Sequence, residues 1–318
     1  MRSQPPLPSH LASSPFTLES SRRAGLHYSR LRRADVEHVS RGLYRPAGWD
    51  FCLEEAARSL SEASPGAWIS HVTAARLRSF LLPPWLSDSN ELHLSKPSAL
   101  PGARRRGIHG HRLIVKPGEI ECVEGMWLST RARTWLDLAR LLPLNDLVAA
   151  GDQLIRRPRP DLEGREGAYS TLGELKALVG RHPNLQGVVR ARQALDLMRV
   201  GADSAPETFL RLSMLDAGLP EPELQIELRP GDPRSPSADL GFRLPRVAIQ
   251  YDGGHHLFEP QQQIDRRRNK AFERAGWTVI IVEKADQEDG FAGALNRIRH
   301  ALRNSAANPV AASGFANE

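Results

Sequence analysis

The chain has 318 residues, of which 40% are hydrophobic, 24 are proline and 25 are glycine, and this composition predicts about two packed domains joined by many loops. Only two cysteines are present, which excludes a disulfide framework and indicates a reducing, cytoplasmic location. The formal net charge of +6 and the isoelectric point of about 9.7 favour a polyanionic partner.

Missing motifs exclude several further classes of protein. No apolar run reaches about 18 residues, so we expect no membrane span. The polar and proline-rich residues 1–15 do not have the pattern of a secretory signal. The sequence has no phosphate-binding glycine loop, no Cys-x-x-Cys pair, no Gly-x-Ser-x-Gly elbow and no internal repeat, which argues against a motor ATPase, a zinc finger and a serine hydrolase. We expect residues 1–12 and 304–318 to be disordered tails.

The first predicted elements lie in a basic segment. Between Arg22 and Arg45, seven arginines stand against two acidic residues, a local excess of five positive charges. The pattern predicts a helix over residues 16–24, a second helix capped by Ser29, and a two-stranded wing over residues 36–45. The second helix of a helix-turn-helix enters the major groove, where arginines contact guanines and phosphates, although a solvated basic helix would show the same charges. The candidate DNA-binding residues are Arg22, Arg23, Arg30, Arg32, Arg33, Arg41 and Arg45.

Four short segments resemble the abortive-infection type IV antitoxin family. They are Gly-Leu-His-Tyr at 25–28, Arg-Gly-Leu-Tyr-Arg at 41–45, Ser-His-Val-Thr-Ala-Ala at 70–75 and the run at 129–139 that begins Ser-Thr-Arg-Ala-Arg. The resemblance implies a winged-helix domain over residues 13–50 and an α+β domain over residues 51–155. It also implies that the chain binds double-stranded DNA as a transcriptional regulator, with an operator or a toxin as partner.

The middle of the chain carries weaker signals. The pattern predicts an amphipathic helix over residues 67–80, in which His71 caps or packs rather than binds a ligand. A strand over residues 90–97 precedes a basic stretch at 104–112 that either touches a phosphate backbone or is simply solvated. A structural helix follows at 131–142, and residues 156–199 are predicted to be a linker and two helices.

Residues 200–303 have the pattern of a compact α/β unit. A helix begins near Ser204 and stops at Gly218, and strands are predicted near 224–228, 238–242 and 247–252. A charged helix over 261–275 precedes an apolar run at 277–282 that is typical of a strand buried on both faces. Glu207 projects from the apolar side of the first helix, or else only caps it with Ser204 and pairs with Arg211.

Polar groups are concentrated where the strand at 247–252 ends. Alternation puts Gln250 and Asp252 on one face, and two glycines allow a tight turn that brings His255 and His256 beside Asp252. A short turn would bring Asp239 close, and two carboxylates suit Mg²⁺. A plain Asp-Gly turn with surface histidines is the competing interpretation, and zinc bound by the histidines is a weaker one.

Five pieces of this unit, in order, resemble the endonuclease-related domain of unknown function allied to very-short-patch-repair endonucleases, in the PD-(D/E)XK superfamily. They are the Glu207 helix, Asp239, the turn at 251–256, the Asp-Arg-Arg-Arg-Asn run at 265–269 and the strand at 275–279. The resemblance implies a restriction-endonuclease-like α/β domain over residues 200–303 that hydrolyses DNA with Mg²⁺ or Mn²⁺. It further implies that Asp239 and Asp252 bind the metal, that Glu207 assists, and that His255 or His256 lies near the attacking water.

Gln250 departs from the family pattern, because a glutamate usually stands there. An amide oxygen can still bind a metal, but the site loses one negative charge, and the lysine expected two residues later is also absent. Two functions therefore remain open. The chain is either a DNA endonuclease of phage defence or DNA repair, for which a homodimer would allow both strands to be cut, or a DNA-binding regulator of a toxin-antitoxin locus that has lost catalysis.

Overall fold

The computed structural model of the chain describes residues 6–158, 163–232, 234–253 and 259–307, and the side chains of 259–262 and 305–307 are outside this description. The chain folds into two compact units, each built from two segments. The first unit comprises Met1–Pro143 and Gly173–Arg192, and the second comprises Leu144–Leu172 and Gln193–Glu318. Both contain helices and a mixed sheet, which confirms the multidomain α/β class.

The first unit opens with a small three-stranded antiparallel sheet of order β1-β3-β2. Its elements are α1 (Ser9–Ala12), β1 (Phe16–Thr17), α2 (Leu18–Arg23), a 3₁₀ helix (Tyr28–Arg32), β2 (Val36–Ser40) and β3 (Leu43–Pro46). The β2–β3 hairpin confirms the predicted two strands. The predicted second helix is only a 3₁₀ turn capped by His27 instead of Ser29, and the predicted tail contains α1 with Leu11 buried.

A five-stranded mixed sheet of order β6-β5-β4-β8-β7 forms the centre of this unit. Its strands are β4 (Trp68–Ile69), β5 (Leu92–Pro97), β6 (Ile108–Leu113), β7 (Ile120–Val123) and β8 (Met126–Ser129). The accompanying helices are α3 (Leu53–Glu62), α4 (His71–Leu77), α5 (Pro84–Ser87) and α6 (Arg131–Leu138). The predicted helix over 67–80 is shorter than expected, since Trp68 and Ile69 are a strand of the sheet.

Arg133 of α6 forms two buried ion pairs, one within the helix and one with the residue that precedes β7. The Arg133 guanidinium lies 2.6 Å from Glu119 and 2.8 Å from Asp137, and all three side chains are buried. Glu119 also lies 2.8 Å from His182, in the loop that follows α8 (Leu172–Gly180) and precedes α9 (Val188–Leu197). The residues expected to form a linker therefore include a structural part of the first unit.

The second unit is a four-stranded sheet covered by helices. The elements are α7 (Leu144–Ile155), α10 (Ala205–Asp216), β9 (Glu223–Glu227), β10 (Ser237–Phe242), β11 (Val247–Asp252), α11 (Glu259–Arg274), β12 (Thr278–Glu283), α12 (Lys284–Glu288) and α13 (Ala292–Ala307). The strand order is β12-β11-β10-β9. Only β11 and β12 are parallel, joined by the α11 crossover. The predicted order of helix and strands in residues 200–303 is thus confirmed.

Each face of this sheet has its own apolar core. On one face, Ile249 and Leu240 pack with Leu210 of α10 and Ile298 of α13. On the other face, Ala248 packs with Phe272 of α11 and with Trp277. β12 is an edge strand, so Val279 and Ile281 are only partly buried, which corrects the expectation of a strand buried on both sides. Among the described residues, every helix is too short or too polar to span a membrane.

Candidate functional site

The carboxyl end of β11 gathers several of the predicted site residues. The antiparallel pairing with β10 ends at Leu240 and Ile249. Beyond it, the main-chain N–H of Tyr251 donates to the Asp239 carboxylate at 2.8 Å. Because Tyr251 immediately precedes Asp252, the structure brings Asp239 to the strand end that carries Asp252, as the short turn between the strands predicted.

Glu207 lies in the first turn of α10, and its side chain is almost fully buried. Its carboxylate accepts a hydrogen bond from the Asp203 N–H at 2.9 Å and another from the Ser204 hydroxyl at 2.8 Å. The Glu207 N–H in turn donates to the Ser204 oxygen, so the capping interpretation holds. The predicted pairing with Arg211 is wrong, because that guanidinium lies 3.1 Å from Asp152 of α7.

Glu207 and Asp239 interact electrostatically. Burial, followed by the negative charge of Asp239, raises the pKa of Glu207 from 4.5 to about 7. The hydrogen bonds from Asp203 and Ser204 oppose this shift but do not cancel it. Two neighbouring carboxylates that water does not fully solvate repel each other when both are ionised. Binding a proton or a cation is therefore more favourable than keeping two negative charges. The pair can therefore hold either a proton or a metal ion near neutral pH.

Gln250 provides a buried amide oxygen at this end of the sheet. Its side chain is only 2% exposed, and its amide N–H₂ donates weakly, at 3.5 Å, to the Ser237 carbonyl. The amide oxygen is buried and makes no hydrogen bond within the described residues. An orphaned buried acceptor costs about 1–3 kcal/mol, and an ion or a water molecule would remove that cost. Strand alternation puts Gln250 with Ala248 on the face that packs against α11.

Asp252 is exposed at the end of β11, whereas Gln250 is buried. In the parallel pairing, Asp252 lies opposite Glu283, the last residue of β12. Glu283 also caps α12 and was not among the predicted site residues. The signal was available, since parallel strands joined by a helix end at the same edge of a sheet. Carboxylate and amide oxygens are the ligands that Mg²⁺ and Mn²⁺ prefer, and Asp239, Asp252 and Gln250 carry oxygens of this type.

The remaining predicted site residues are the two histidines and the candidate DNA-binding arginines. His255 and His256 lie outside the described residues, so their role stays a prediction. The arginines of the N-terminal segment differ in exposure, and the exposed Arg23 also pairs with Glu19 at 2.5 Å. Arg30 is 5% exposed and forms a bidentate pair with Asp35, while Arg45 bonds Glu37 at 2.7 Å. Exposed guanidinium groups belong to Arg22, Arg23, Arg32, Arg33 and Arg41.

Arg30 therefore does not fit its predicted part in DNA binding. Its guanidinium is buried and neutralised by Asp35, and that pairing also lowers the pKa of Asp35. In the second unit, α11, predicted as a charged helix, presents another basic surface. Its exposed cations are Arg266, Arg267, Lys270 and Arg274.

Comparison with known proteins gives distant relatives. The chain is 27% identical over 194 residues to an uncharacterised protein of Mycobacterium tuberculosis strain CDC 1551 / Oshkosh, covering 60% of this chain and 68% of the relative. The same identity and coverage hold for an uncharacterised protein of strain ATCC 25618 / H37Rv. No protein-family model matches the chain.

Proposed function

We propose that the chain binds double-stranded DNA and that its second unit hydrolyses phosphodiester bonds as a divalent-metal-dependent endonuclease. The proposal rests chiefly on the buried Glu207 carboxylate, whose pKa is raised to about 7 by burial and by the charge of Asp239. The buried Gln250 amide oxygen, which has no hydrogen-bond partner among the described residues, gives further support. A buried carboxylate with a strongly shifted pKa is a common feature of catalytic sites.

Each residue has a role in this proposal. Asp239 and Asp252, with the Gln250 amide oxygen, would hold Mg²⁺ or Mn²⁺. When bound, such an ion supplies Lewis-acid polarisation of a phosphate oxygen and lowers the pKa of a water molecule. Glu207 gains or loses a proton near neutral pH, as a general acid or base must. The exposed cations of α11 attract the DNA backbone.

Gln250 favours a second candidate function. Replacing a carboxylate with an amide removes one negative charge from a site whose partner is a divalent cation. The second candidate is a DNA-binding regulator or antitoxin whose nuclease-like unit no longer cleaves. Both candidates require DNA binding, and they differ only in whether the acidic site hydrolyses the bound DNA.

Nicking of supercoiled plasmid separates the two functions. We expect the wild-type chain to nick plasmid with Mg²⁺ or Mn²⁺ and to be inactive with EDTA. Asp239→Asn keeps an oxygen that can accept the Tyr251 N–H but removes the charge, so the nicking rate should fall by at least about 100-fold. Gln250→Glu should strengthen metal binding and raise the rate at low metal concentration.

Asp216→Asn is the matched control, because Asp216 is exposed at the opposite end of the Glu207 helix. It should nick at the wild-type rate. A wild-type chain that binds plasmid but never nicks it, with activity appearing only in Gln250→Glu, would establish the regulator instead. Nicking that survives both EDTA and Asp239→Asn would rule out this site altogether.

A further inference from the structure

Three histidines of the first unit bring their rings together. His71 is the first residue of α4, His93 lies in β5 and His111 lies in β6. One ring nitrogen of each lies within 4.8 Å of the other two. Nδ1 of His93 is 3.0 Å from Nε2 of His111, and the His71 ring stacks on His111 with 3.7 Å between centroids. His71 is 1% exposed and His93 is 7% exposed, while His111 is only partly buried.

The surrounding elements fix these rings. The parallel pairing of β5 with β6 aligns His93 with His109 and Ser95 with His111, which puts His93 and His111 on one face of the sheet. Nδ1 of His71 is 2.9 Å from the Ser70 hydroxyl, which leaves Nε2 for another partner. A hydrogen bond at the second ring nitrogen is what orients most metal-binding histidines.

The backbone of His71 is also unusual. Its φ angle is +49°, a left-handed conformation that costs a non-glycine residue about 1–3 kcal/mol and is maintained only by its surroundings. The main-chain N–H of His93 donates to the Thr73 hydroxyl of α4 at 2.8 Å. The start of α4 is thereby tied to β5, with the His71 ring directed at the other two histidines.

The ionisation state of the cluster suits a metal ion. Burial is the main reason that the pKa of His93 and of His111 falls to about 4, followed by the neighbouring His111 for His93 and by Arg140 for His111. The pKa of His71 also lies well below its usual value, for the same main reason. All three imidazoles are therefore neutral at physiological pH, and only a neutral imidazole has a lone pair to donate to a metal.

We propose that His71, His93 and His111 bind a divalent transition-metal ion of the Zn²⁺ class. Imidazole suits zinc, copper, nickel and iron, whereas Mg²⁺ prefers oxygen ligands, so this ion differs from the one proposed for Asp239. Zinc bonds to nitrogen of about 2.0–2.1 Å place tetrahedral ligands about 3.3 Å apart. The pair His93 and His111 is close to that spacing, while the His71 ring has to rotate off its stack on His111.

A cavity of about 430 Å³ gives the cluster a path to solvent. His71 is part of its wall, together with Arg112, Arg140 and Arg181. Three protein ligands leave a fourth tetrahedral position open. The guanidinium groups oppose a bare cation, so we expect the open position to carry an anion such as hydroxide or phosphate, which offsets the added charge.

Metal stoichiometry of the full-length protein tests this site. After removal of metals with a chelator, we expect the wild type to take up one more equivalent of Zn²⁺ in equilibrium dialysis than the double variant His93→Gln/His111→Gln. Zn²⁺ should also raise the unfolding temperature of the wild type by about 5 °C or more, and that of the double variant by less. The acidic site and His255 and His256 are present in both proteins, so the difference isolates the cluster.

Two further variants complete the test. His300→Gln alters an exposed histidine of α13 and should retain the wild-type stoichiometry. His111→Cys replaces one ligand with a thiolate, so with Co²⁺ it should show a sulfur-to-cobalt charge-transfer band that the wild type lacks. Equal Zn²⁺ uptake by the wild type and the double variant would overturn the proposal, as would the absence of that band in a folded His111→Cys protein. The contact of His93 with His111 would then be a hydrogen bond only.

Discussion

At the scale of single residues, Glu207 shows how one side chain serves both the fold and a site. Its carboxylate caps α10 through the Asp203 N–H and the Ser204 hydroxyl, which favours the charged form. Burial and the charge of Asp239 disfavour that form, and they prevail, since the pKa rises to about 7. An ionised Glu207 therefore lowers the stability of the folded chain. Such a cost in stability is common at residues that serve a reactive site.

The pH dependence of stability follows from this shift. The folded pKa of Glu207 is higher than the usual 4.5, so the folded chain binds the proton more tightly than the unfolded chain. The contribution of Glu207 to the free energy of unfolding is favourable at low pH and is lost as the pH rises from about 4.5 to about 7. We expect Glu207→Gln, which mimics the protonated form, to raise the free energy of unfolding at pH 8 by up to about 3 kcal/mol and to change it little at pH 4.5.

Urea unfolding of the wild type and Glu207→Gln at both pH values measures this difference. Buried Asp137 and Asp152 also have a raised pKa, owing first to burial, so only the difference between the two proteins is informative. Asp216→Asn should follow the wild-type pH profile. If Glu207→Gln and the wild type have parallel profiles, Glu207 is not held at a raised pKa by its surroundings.

At the scale of secondary structure elements, local patterns predicted the second unit well. The start and stop signals of α10 and the alternation of Leu224 and Ile226 are properties of neighbouring residues. The glycine that ends α11 is likewise a signal that adjacent residues provide. The three strands, the crossover helix and the approach of Asp239 to the end of β11 follow from them. The acidic site was therefore largely predictable, except for Glu283, whose position depends on the pairing of two distant strands.

Features built by long-range contacts were missed. The histidine cluster joins α4, β5 and β6, and no spacing along the chain indicates that His71 meets His111. The buried pairing of Arg133 with Glu119 likewise depends on how the chain returns to the sheet. The second helix of the N-terminal segment is a 3₁₀ turn, and its Arg30 is buried in a pair with Asp35. Charge and periodicity alone describe a surface helix there.

Gly187 allows residues 173–192 to pack closely against the rest of the first unit. Gly187 has φ +93°, and a Cβ atom there would lie 2.6 Å from the Arg140 nitrogen and 2.7 Å from the Ala139 carbonyl carbon. We expect Gly187→Ala to lower the unfolding free energy of the first unit by about 2–4 kcal/mol, because both the backbone strain and the clash must be relieved.

Gly180 is the matched control, because it ends α8 in the same segment and a Cβ atom there would meet no atom within 4 Å. Gly180→Ala should be neutral or slightly stabilising, since alanine favours a helix over glycine. Thermal unfolding of both variants measures the effect. If Gly187→Ala and Gly180→Ala have the same unfolding temperature, the contact with Ala139 and Arg140 does not exist in solution.

At the scale of the whole molecule, positive charge is the property that both units share. The net charge is +6, and exposed cations cluster near Arg32 in the first unit and on α11 in the second. Counterion release makes DNA affinity depend on salt in proportion to the number of phosphates contacted. The salt dependence therefore counts the cations that act in binding, independently of whether the second unit cleaves.

Three arginines of the N-terminal segment, Arg32, Arg33 and Arg41, are exposed. Arg32→Ala/Arg33→Ala/Arg41→Ala should weaken binding to duplex DNA and reduce the slope of log Kd against log salt by up to about 3, roughly one per lost phosphate contact. Fluorescence anisotropy between 50 mM and 300 mM salt, about the range in which such slopes are resolved, measures this slope. EDTA in the buffer prevents cleavage.

Arg229→Ala removes an exposed arginine paired with Asp232 and should leave the slope unchanged. An unchanged slope in the triple variant would move the DNA-binding surface away from this segment, with the cations of α11 as the next to replace.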